Sequence, residues 1–204
     1  MSDGKQASAR ALLFVVAAYA AALGVAWTVA LALPQLHPLH RVLAADLAAT
    51  AVVFGFSVAF DNSSFYDPYW SVAPLVIAPF LVGVGTGWHG GRELLVTALV
   101  WLWGLRLTWN WLQGWQGLRH EDWRYADFRA RGKPVYWAVS LTGFHLMPTL
   151  MVFLGCFGLY PALVEPTHAL GWLDLVAVVV TFGAILVETV ADLQLHEFAR
   201  VKQP

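Results

Sequence analysis

This sequence carries little charge for its length. Asp, Glu, Lys and Arg make up only 12% of its 204 residues, whereas hydrophobic residues make up 59%. A water-soluble domain has about 25% charged residues, so most of the surface of this chain cannot face water. Eleven Trp, twelve Phe and six Tyr point the same way, because amphipathic rings collect where a membrane meets water. The composition predicts an integral membrane protein surrounded by membrane lipids.

Several other absences exclude classes of function. The single cysteine, Cys156, cannot form an intramolecular disulfide, and its apolar surroundings predict a small core residue. The formal net charge is −1, and no Lys/Arg run with interleaved aromatics occurs, so we expect no nucleic-acid partner. The sequence has no His-x-x-His or Cys-x-x-Cys pair, no Gly-rich phosphate loop and no Gly-x-Ser-x-Gly. We therefore predict no metal site and no serine hydrolase.

Six apolar stretches predict membrane-spanning helices. The first, residues 11–33, has no charge and exceeds the roughly 20 residues needed to cross a ~30 Å hydrocarbon core. Its length and the lack of a small-x-small cleavage site before Pro34 favour a retained helix over a signal peptide. The third contains Pro74 and Pro79, which allow a kinked, tilted or re-entrant segment. The predicted fold is all-α, a single polytopic membrane bundle with helices at about residues 11–33, 42–60, 71–85, 94–112, 136–163 and 170–190.

The Lys and Arg residues predict the orientation of this bundle. With six spans, ten of them lie on the side of the N-terminus, and only Arg41 and Arg92 lie on the other. Lys and Arg concentrate in cytoplasmic loops, so both termini are predicted to be cytoplasmic. The count loses this asymmetry if the third segment does not cross, because the later connections would then change sides.

Three polar segments from distant parts of the chain meet on the predicted cytoplasmic side. They are residues 59–72, residues 110–134 and residues 187–202. In the first, Asp61, Asn62, Ser63 or Ser64 would each cap the following helix, and Asp67-Pro68 is a common helix start. Capping explains one or two polar residues but not the whole segment, which also holds Tyr66, Tyr69 and Trp70. We expect this segment to form one wall of a polar site.

The second segment contains a polar helical stripe and an aromatic stretch rich in charge. Arg106, Asn110 and Gln113 fall at i, i+4 and i+7 and therefore share one helix face. The stretch RHEDWRYADFR, residues 119–129, predicts either an interfacial anchor or a lid that reaches an anionic cofactor through Arg119, Arg124 or Tyr125. The sequence leaves both interpretations open.

Arg106 needs acceptors if it lies inside a helix bundle. A ligand phosphate or carboxylate would serve, and so would an acidic residue of the chain itself. Glu188 and Asp192 stand one helical turn apart, so their carboxylates share a face and could hold a substrate, a cation or Arg106, or remain solvated. His145 is the one imidazole well inside an apolar segment, and a hydrogen-bonded packing role is the simpler expectation for it.

Taken together, these segments resemble the bacterial-type membrane branch of the steroid 5α-reductase-like family. In that branch Asn-x-Ser-x-x-Asp-x-x-Trp, an Arg-Leu-Thr segment followed by Trp, Glu-Asp-x-Arg-Tyr and Glu-x-x-Ala-Asp-x-Gln occur in this order. The matching stretches here are FDNSSFYDPYWSV, WGLRLTWNWLQGWQGLRHEDWRYADFR and VETVADLQLHEF. The resemblance covers roughly residues 55 to 200. The motif positions are Asn62, Asp67, Trp70, Arg106, Glu121, Asp122, Arg124, Tyr125, Glu188, Asp192 and Gln194.

The resemblance implies a membrane enzyme of the bacterial inner membrane. Such an enzyme would bind NADPH from the cytoplasmic side and reduce an activated carbon–carbon double bond of a lipid-like or steroid-like substrate. Tyr125 and Glu188 are then the predicted catalytic proton donors. The predicted cofactor-binding residues are Asn62, Asp67, Trp70, Arg106, Asn110, Arg124 and Asp192.

The resemblance also predicts that these residues are the N-terminal part of a longer family member. Family members continue past Glu-x-x-Ala-Asp-x-Gln into a Gly-rich turn, an Arg-His-Pro-Asn-Tyr signature and further hydrophobic helices. This sequence stops at ARVKQP, so we expect it to lack part of the cofactor site. Other classes stay open at this point, namely an isoprenylcysteine-type methyltransferase, a non-catalytic membrane subunit, and a small transporter with Arg106, Glu188 and His145 along its path.

Overall fold

A computed structural model describes residues 2–85, 87–88, 90–118, 120–130, 132–164 and 170–202. The described part of the chain is helical and contains no strand, which confirms the predicted all-α class. Short 3₁₀ turns lie at Ser63–Phe65 and Cys156–Gly158, and a π-helical turn lies at Ser140–Leu146. The α-helices are α1 (Ser2–Ala32), α2 (Pro38–Ala59), α3 (Tyr69–Val84), α4 (Gly91–Gln113), α5 (Trp123–Arg129), α6 (Lys133–Val139), α7 (Met147–Gly155), α8 (Leu159–Leu163) and α9 (Trp172–Lys202).

Five helical stretches of the described residues are long and apolar enough to cross a membrane. They correspond to five of the six predicted spans, and the chain is therefore a multi-pass integral membrane protein. The predicted fourth span is helix α4, which is not among the five because Arg106 and Asn110 lower its mean hydropathy. The five are Ala9–Ala32, Pro38–Ala59, Ser63–Val84, Lys133–Leu163 and Trp172–Val201.

Two of these stretches accommodate prolines in different ways. Helix α3 stays continuous through Pro74 and Pro79 and, with the preceding 3₁₀ turn, forms one candidate span. In the Lys133–Leu163 stretch, Pro148 lacks an N–H and would clash with the carbonyl four residues earlier. The helix widens there into the π turn, in which the Met147 N–H bonds to the Thr142 carbonyl. This wider turn carries His145 into the interior, where the side chain is fully buried.

Helix α4 lies antiparallel to α3 and in close contact with it. The Ser71 and Thr108 hydroxyls are 2.8 Å apart, and the Trp101 indole N–H donates to the Leu75 carbonyl at 3.0 Å. A Cβ on Gly104 would come within 2.7 Å of the Ser71 carbonyl oxygen, so only glycine permits this approach. Helix α4 therefore covers the same depth as α3, even though its composition is more polar.

The alternating helix directions create two polar ends. One, called here the junction end, contains residues 60–68, the described residues of the connection 114–136 and the C-terminal half of α9. The predicted convergence of the three polar segments is thus observed: Arg129 binds Asp61, Tyr125 binds Asp67, and Arg106 of α4 binds Asp192 of α9. At the opposite end Arg92 pairs with Asp174 at 2.8 Å.

The interior is apolar around these contacts. One cluster joins α1, α2 and residues 65–69, and the other joins α2, α3 and the Lys133–Leu163 stretch. Cys156 is buried in the second cluster, as predicted. Helix α9 leaves most of its apolar side chains exposed, among them Val187 with 71% of its surface accessible. An apolar face of this extent requires a lipid or protein environment.

We expect α4 to cross the membrane. In a C156A background, the single-cysteine variants W88C and Q116C should label with an impermeant maleimide from opposite sides, because these positions flank α4. R10C and R200C should both label from the side that labels Q116C. Labelling of W88C and Q116C from the same side would contradict a membrane-crossing α4.

Candidate functional site

The junction between α2 and α3, residues 60–68, is held by local capping. The Asn62 side chain accepts a hydrogen bond from the Ser64 N–H at 2.7 Å and caps the 3₁₀ turn, which confirms a capping role in this segment. Asp61 adopts a positive φ of 51°, an uncommon conformation outside glycine. Arg129 supports this turn, because its guanidinium donates both to the Asp61 carboxylate and to the Asp61 carbonyl.

The connection after α4 is fastened to this junction by buried polar contacts. The Asn62 amide donates to the carbonyls of Leu118 and His120 at 2.8 and 3.1 Å. The Glu121 carboxylate accepts from the Ser63 N–H at 2.7 Å and from the Tyr136 hydroxyl at 3.0 Å. Asn62 therefore braces the fold with its whole side-chain amide, and it does not line the cavity described next.

A cavity of about 580 Å³ opens beside the junction. Its volume lies within the usual range of small-molecule sites. Five of the nine residues predicted for the site line it, together with Asp122 and with several aromatic and apolar side chains. The lining residues named in the prediction are Asp67, Trp70, Asn110, Arg124 and Tyr125. The sequence motifs therefore converge on one cavity.

Tyr125 and Asp67 form a partly buried polar contact at the cavity. The Tyr125 hydroxyl donates to the Asp67 carboxylate at 2.6 Å, and only 5% of Tyr125 is exposed. Its ring and that of Phe128 pack against Phe144, whereas Trp123 points outward. Two rings of this stretch therefore pack inside the protein and one is exposed, and its role as an interfacial anchor or as a lid stays a prediction. Burial, followed by the nearby Asp67 carboxylate, raises the pKa of Tyr125.

Arg124 is paired with Asp122 at the same cavity wall. The guanidinium donates to both carboxylate oxygens, at 2.8 and 3.1 Å, and Asp122 also caps α5 through the Arg124 N–H. The hydrogen bonds from Arg124 hold the pKa of Asp122 below its ordinary value. The Arg124 side chain is 58% exposed, so it can turn from Asp122 toward an anion in the cavity at little cost. Arg119, also named for this lid, lies outside the described residues.

Arg106 lies outside the cavity and holds α9 against α4. It donates to Asp192 at 2.7 Å and to Glu188 at 2.9 Å. Of the two predicted roles, the structural ion pair is the one observed, and Glu188 and Asp192 are its acceptors. Neither carboxylate lines the cavity. The assignments of Arg106 and Asp192 to cofactor and of Glu188 to catalysis stay predictions, and in this arrangement each would require the pair to open.

An acid in the middle of α2 was absent from the predicted site. Asp46 is 94% buried, and one of its carboxylate oxygens accepts from the Tyr69 hydroxyl at 2.7 Å while the other has no partner. It faces a second, apolar cavity of about 90 Å³ between α1, α2 and α3, called here the groove. A lone Asp inside the apolar run RVLAADLAAT was the available signal, because intramembrane acids are rare and functional by default.

His145 has the hydrogen-bonded packing role predicted for it. Its Nδ1 lies 2.8 Å from the Ser140 carbonyl, and its Nε2 lies 3.2 Å from the Ser57 hydroxyl. Its ring also contacts Phe54 and Tyr66. Both ring nitrogens are therefore engaged by neighbouring residues.

The two acids that bind Arg106 should contribute unequally to the stability of the protein. We expect D192N to lower the free energy of unfolding by about 1–2 kcal/mol, because Asp192 makes the shorter contact with Arg106 and is the less exposed of the two acids. E188Q should cost under about 1 kcal/mol, as is usual for solvent-exposed pairs. Unfolding in mixed micelles measures both, and a larger loss for E188Q would contradict this geometry.

Removing the Tyr125 hydroxyl should also destabilise the protein. Y125F leaves the Asp67 carboxylate without its donor, and we expect a loss of about 1.5–3 kcal/mol, typical of hydrogen bonds to charged groups. Y19F is a matched control, because the Tyr19 hydroxyl donates only to the Phe65 carbonyl and should cost about 1 kcal/mol. Equal losses would show that the Asp67 contact is not charge-assisted.

The raised pKa of Tyr125 gives a pH dependence of known sign. The folded protein holds this proton more tightly than the unfolded chain, so the stabilisation is complete below about pH 10 and is lost as the pH rises above it. The phenolate absorbance of wild type minus Y125F should therefore be flat through pH 10. A Tyr125 titration below pH 10 would contradict the buried contact.

Comparison with known families matches residues 53–204 to a family of proteins of unknown function, DUF1295. The matched region begins in α2 and contains the junction, the cavity-lining residues, the ion pair of Arg106 and all of α9. Neither the curated proteins nor the solved structures gave a significant match. Because the match covers most of the sequence, this chain belongs to the DUF1295 family.

Proposed function

We propose that this protein is a membrane oxidoreductase that uses NADPH to reduce an activated carbon–carbon double bond of a lipid-like or steroid-like substrate. One observation carries the proposal: helix α3 lies between a junction-end cavity that contains ionisable and amide side chains and a groove that is almost wholly apolar, and it contributes residues to both. A reaction between a water-soluble cofactor and a membrane-dissolved substrate needs two such compartments within reach of each other. The steroid 5α-reductase-like resemblance of the motifs points to the same chemistry.

The cavity residues fit the ring systems of a nicotinamide cofactor. Trp70, Trp111, Tyr66 and Phe144 supply flat aromatic surfaces, and Asn110 supplies amide donors and acceptors. The cavity volume of about 580 Å³ suits a ligand of that size class. When bound, a nicotinamide cofactor supplies the hydride.

Among the described residues that line the cavity, one is a cation that could bind phosphate. Arg124 lines the wall and is exposed enough to exchange Asp122 for an anion. Its planar guanidinium suits bidentate binding of phosphate oxygens. Asp67, already bound to Tyr125, is placed to accept hydrogen bonds from hydroxyl or amide groups rather than to meet phosphate.

The groove supplies the acid that the reaction needs. The unpaired oxygen of Asp46 faces an otherwise apolar space. An ionised carboxylate is costly in such surroundings, so the neutral acid is the favoured form, and it can donate a hydrogen bond to the carbonyl of an enone. Tyr69 holds Asp46 in position through the other oxygen. This pair is better placed to activate an apolar substrate than Glu188, which lies on α9 outside both cavities.

We also propose that the junction end faces the cytoplasm of a bacterial cell. Ten of the twelve Lys and Arg residues belong to this side, and NADPH is a cytoplasmic cofactor. A substrate would then enter the groove laterally from the inner membrane while the cofactor enters from water.

Energy transfer from tryptophan to bound NADPH tests the cofactor proposal in nanodiscs, because Trp70 and Trp111 line the cavity. We expect a saturable signal with NADPH and a loss of affinity of about tenfold or more in R124A. R92A is the matched control, since Arg92 is also paired with an aspartate but at the opposite end. Binding of S-adenosylmethionine instead of NADPH would favour a methyltransferase. Binding of neither molecule would favour a non-catalytic role.

Turnover should depend on Asp46. With a 4-en-3-one steroid as probe, D46N should lower the rate of NADPH oxidation by about 100-fold or more, as expected for loss of a general acid. NADPH binding should be unchanged, because Asp46 lies in the groove and not in the cavity. Full activity of D46N would remove Asp46 from the mechanism.

A further inference from the structure

A row of buried hydroxyl groups runs through the wall between the cavity and the groove. Tyr66 lines the cavity, and its hydroxyl lies 2.7 Å from the Thr149 hydroxyl. Thr149 lies 2.7 Å from the Thr50 hydroxyl. Thr50 stands one helical turn after Asp46 and lies beside the Tyr69 hydroxyl, which donates to the Asp46 carboxylate at 2.7 Å. The row therefore begins at one compartment and ends at the acid of the other.

The burial of this row is unusual for side chains of this type. Thr50 and Thr149 are fully buried, and Tyr66 and Tyr69 are 2% and 5% exposed. The two tyrosine rings stack with centroids 4.8 Å apart. Helix α3 contributes neither threonine, so the row depends on α2 and α7 meeting at this depth.

All these hydrogen bonds can point in one direction. The Tyr69 hydroxyl must donate to the Asp46 carboxylate if that group is ionised, which leaves its oxygen free to receive a proton from the neighbouring Thr50. Thr50 can then accept from Thr149, and Thr149 from Tyr66, since a hydroxyl has one donor and two acceptor positions. A uniformly oriented chain of hydroxyls is the arrangement in which a proton can be passed from each oxygen to the next.

We propose that Tyr66, Thr149, Thr50 and Tyr69 form a proton path that reprotonates Asp46 from the cavity. Each oxygen in the row accepts one proton and releases its own. One proton therefore leaves the cavity side and one O–H bond forms at the Asp46 carboxylate, with no net oxidation or reduction. The path itself is independent of the activity proposed above, whereas its use in turnover rests on that proposed function.

Hydrogen–deuterium exchange of the Asp46 carboxyl tests the path without any turnover. In nanodiscs transferred to D₂O, the carboxylic C=O infrared band that is absent from D46N should shift quickly in wild type. T149V removes the central hydroxyl and keeps the side-chain shape, so the shift should slow by about tenfold or more. T149S restores a hydroxyl and should restore the wild-type rate.

Two further variants separate a proton path from a general disturbance. T97V is the matched control, because Thr97 is a buried threonine of α4 outside the row, and its exchange should be unchanged. Y66F removes the first hydroxyl while keeping the stacked ring and should slow exchange as T149V does. Exchange at the wild-type rate in both T149V and Y66F would overturn the proposal, and so would the lack of any infrared band that D46N removes.

The outcomes for the path and for the proposed reductase can be told apart. If turnover is found but T149V and Y66F exchange at the wild-type rate, the reductase proposal stands and the proton path does not. If exchange is slowed but no turnover is found, the proton path stands and the reductase proposal does not.

Discussion

The site depends on one half-buried carboxylate, Glu121, and the groups that it holds together. Glu121 accepts hydrogen bonds from the Ser63 backbone, the Tyr136 hydroxyl and the Arg129 guanidinium, which belong to three different parts of the chain. This carboxylate is partly withdrawn from water, so the donors that converge on it offset the loss of its hydration. The hydrogen bonds to Glu121 join three segments into one unit, called here the corner. These segments are the α2–α3 junction, the connection after α4 and the start of the Lys133–Leu163 stretch. Tyr125, Arg124 and Asp122 reach the cavity only because that corner positions α5.

The same corner decides how charge is distributed around the cavity. Arg129 is engaged by Glu121 and Asp61, Arg124 by Asp122, and Arg106 by Glu188 and Asp192. Three arginines at the junction end therefore have their charges matched by acidic residues of the protein itself. Only the Arg124 pair combines high exposure with a place in the cavity wall, which is why it is the cation assigned to an anionic ligand.

Sequence reasoning located the cavity but not the groove. The motif residues Asp67, Trp70, Arg124 and Tyr125 are spread over 59 positions and still meet at one cavity, because alternating membrane helices return the chain to the same end. Asp46 was missed because it stands in an alanine-rich run, with no other ionisable residue within four positions of it. Its partner Tyr69 lies 23 residues away, and its isolation in the groove exists only when α1, α2 and α3 are packed.

Hydrophobic run length and the local polar motifs were enough to predict a multi-pass helical bundle with its polar segments gathered at one end. Both follow from local physics, since a run of about 20 apolar residues forms a helix across lipid wherever it occurs. The tertiary structure decided which acids receive Arg106, that Tyr125 binds Asp67, and that a row of hydroxyls joins the cavity to Asp46. The sequence offers several donors and acceptors of the same kind, and a hydrogen bond forms only between those that come within about 3 Å of each other. Helix packing determines which ones do.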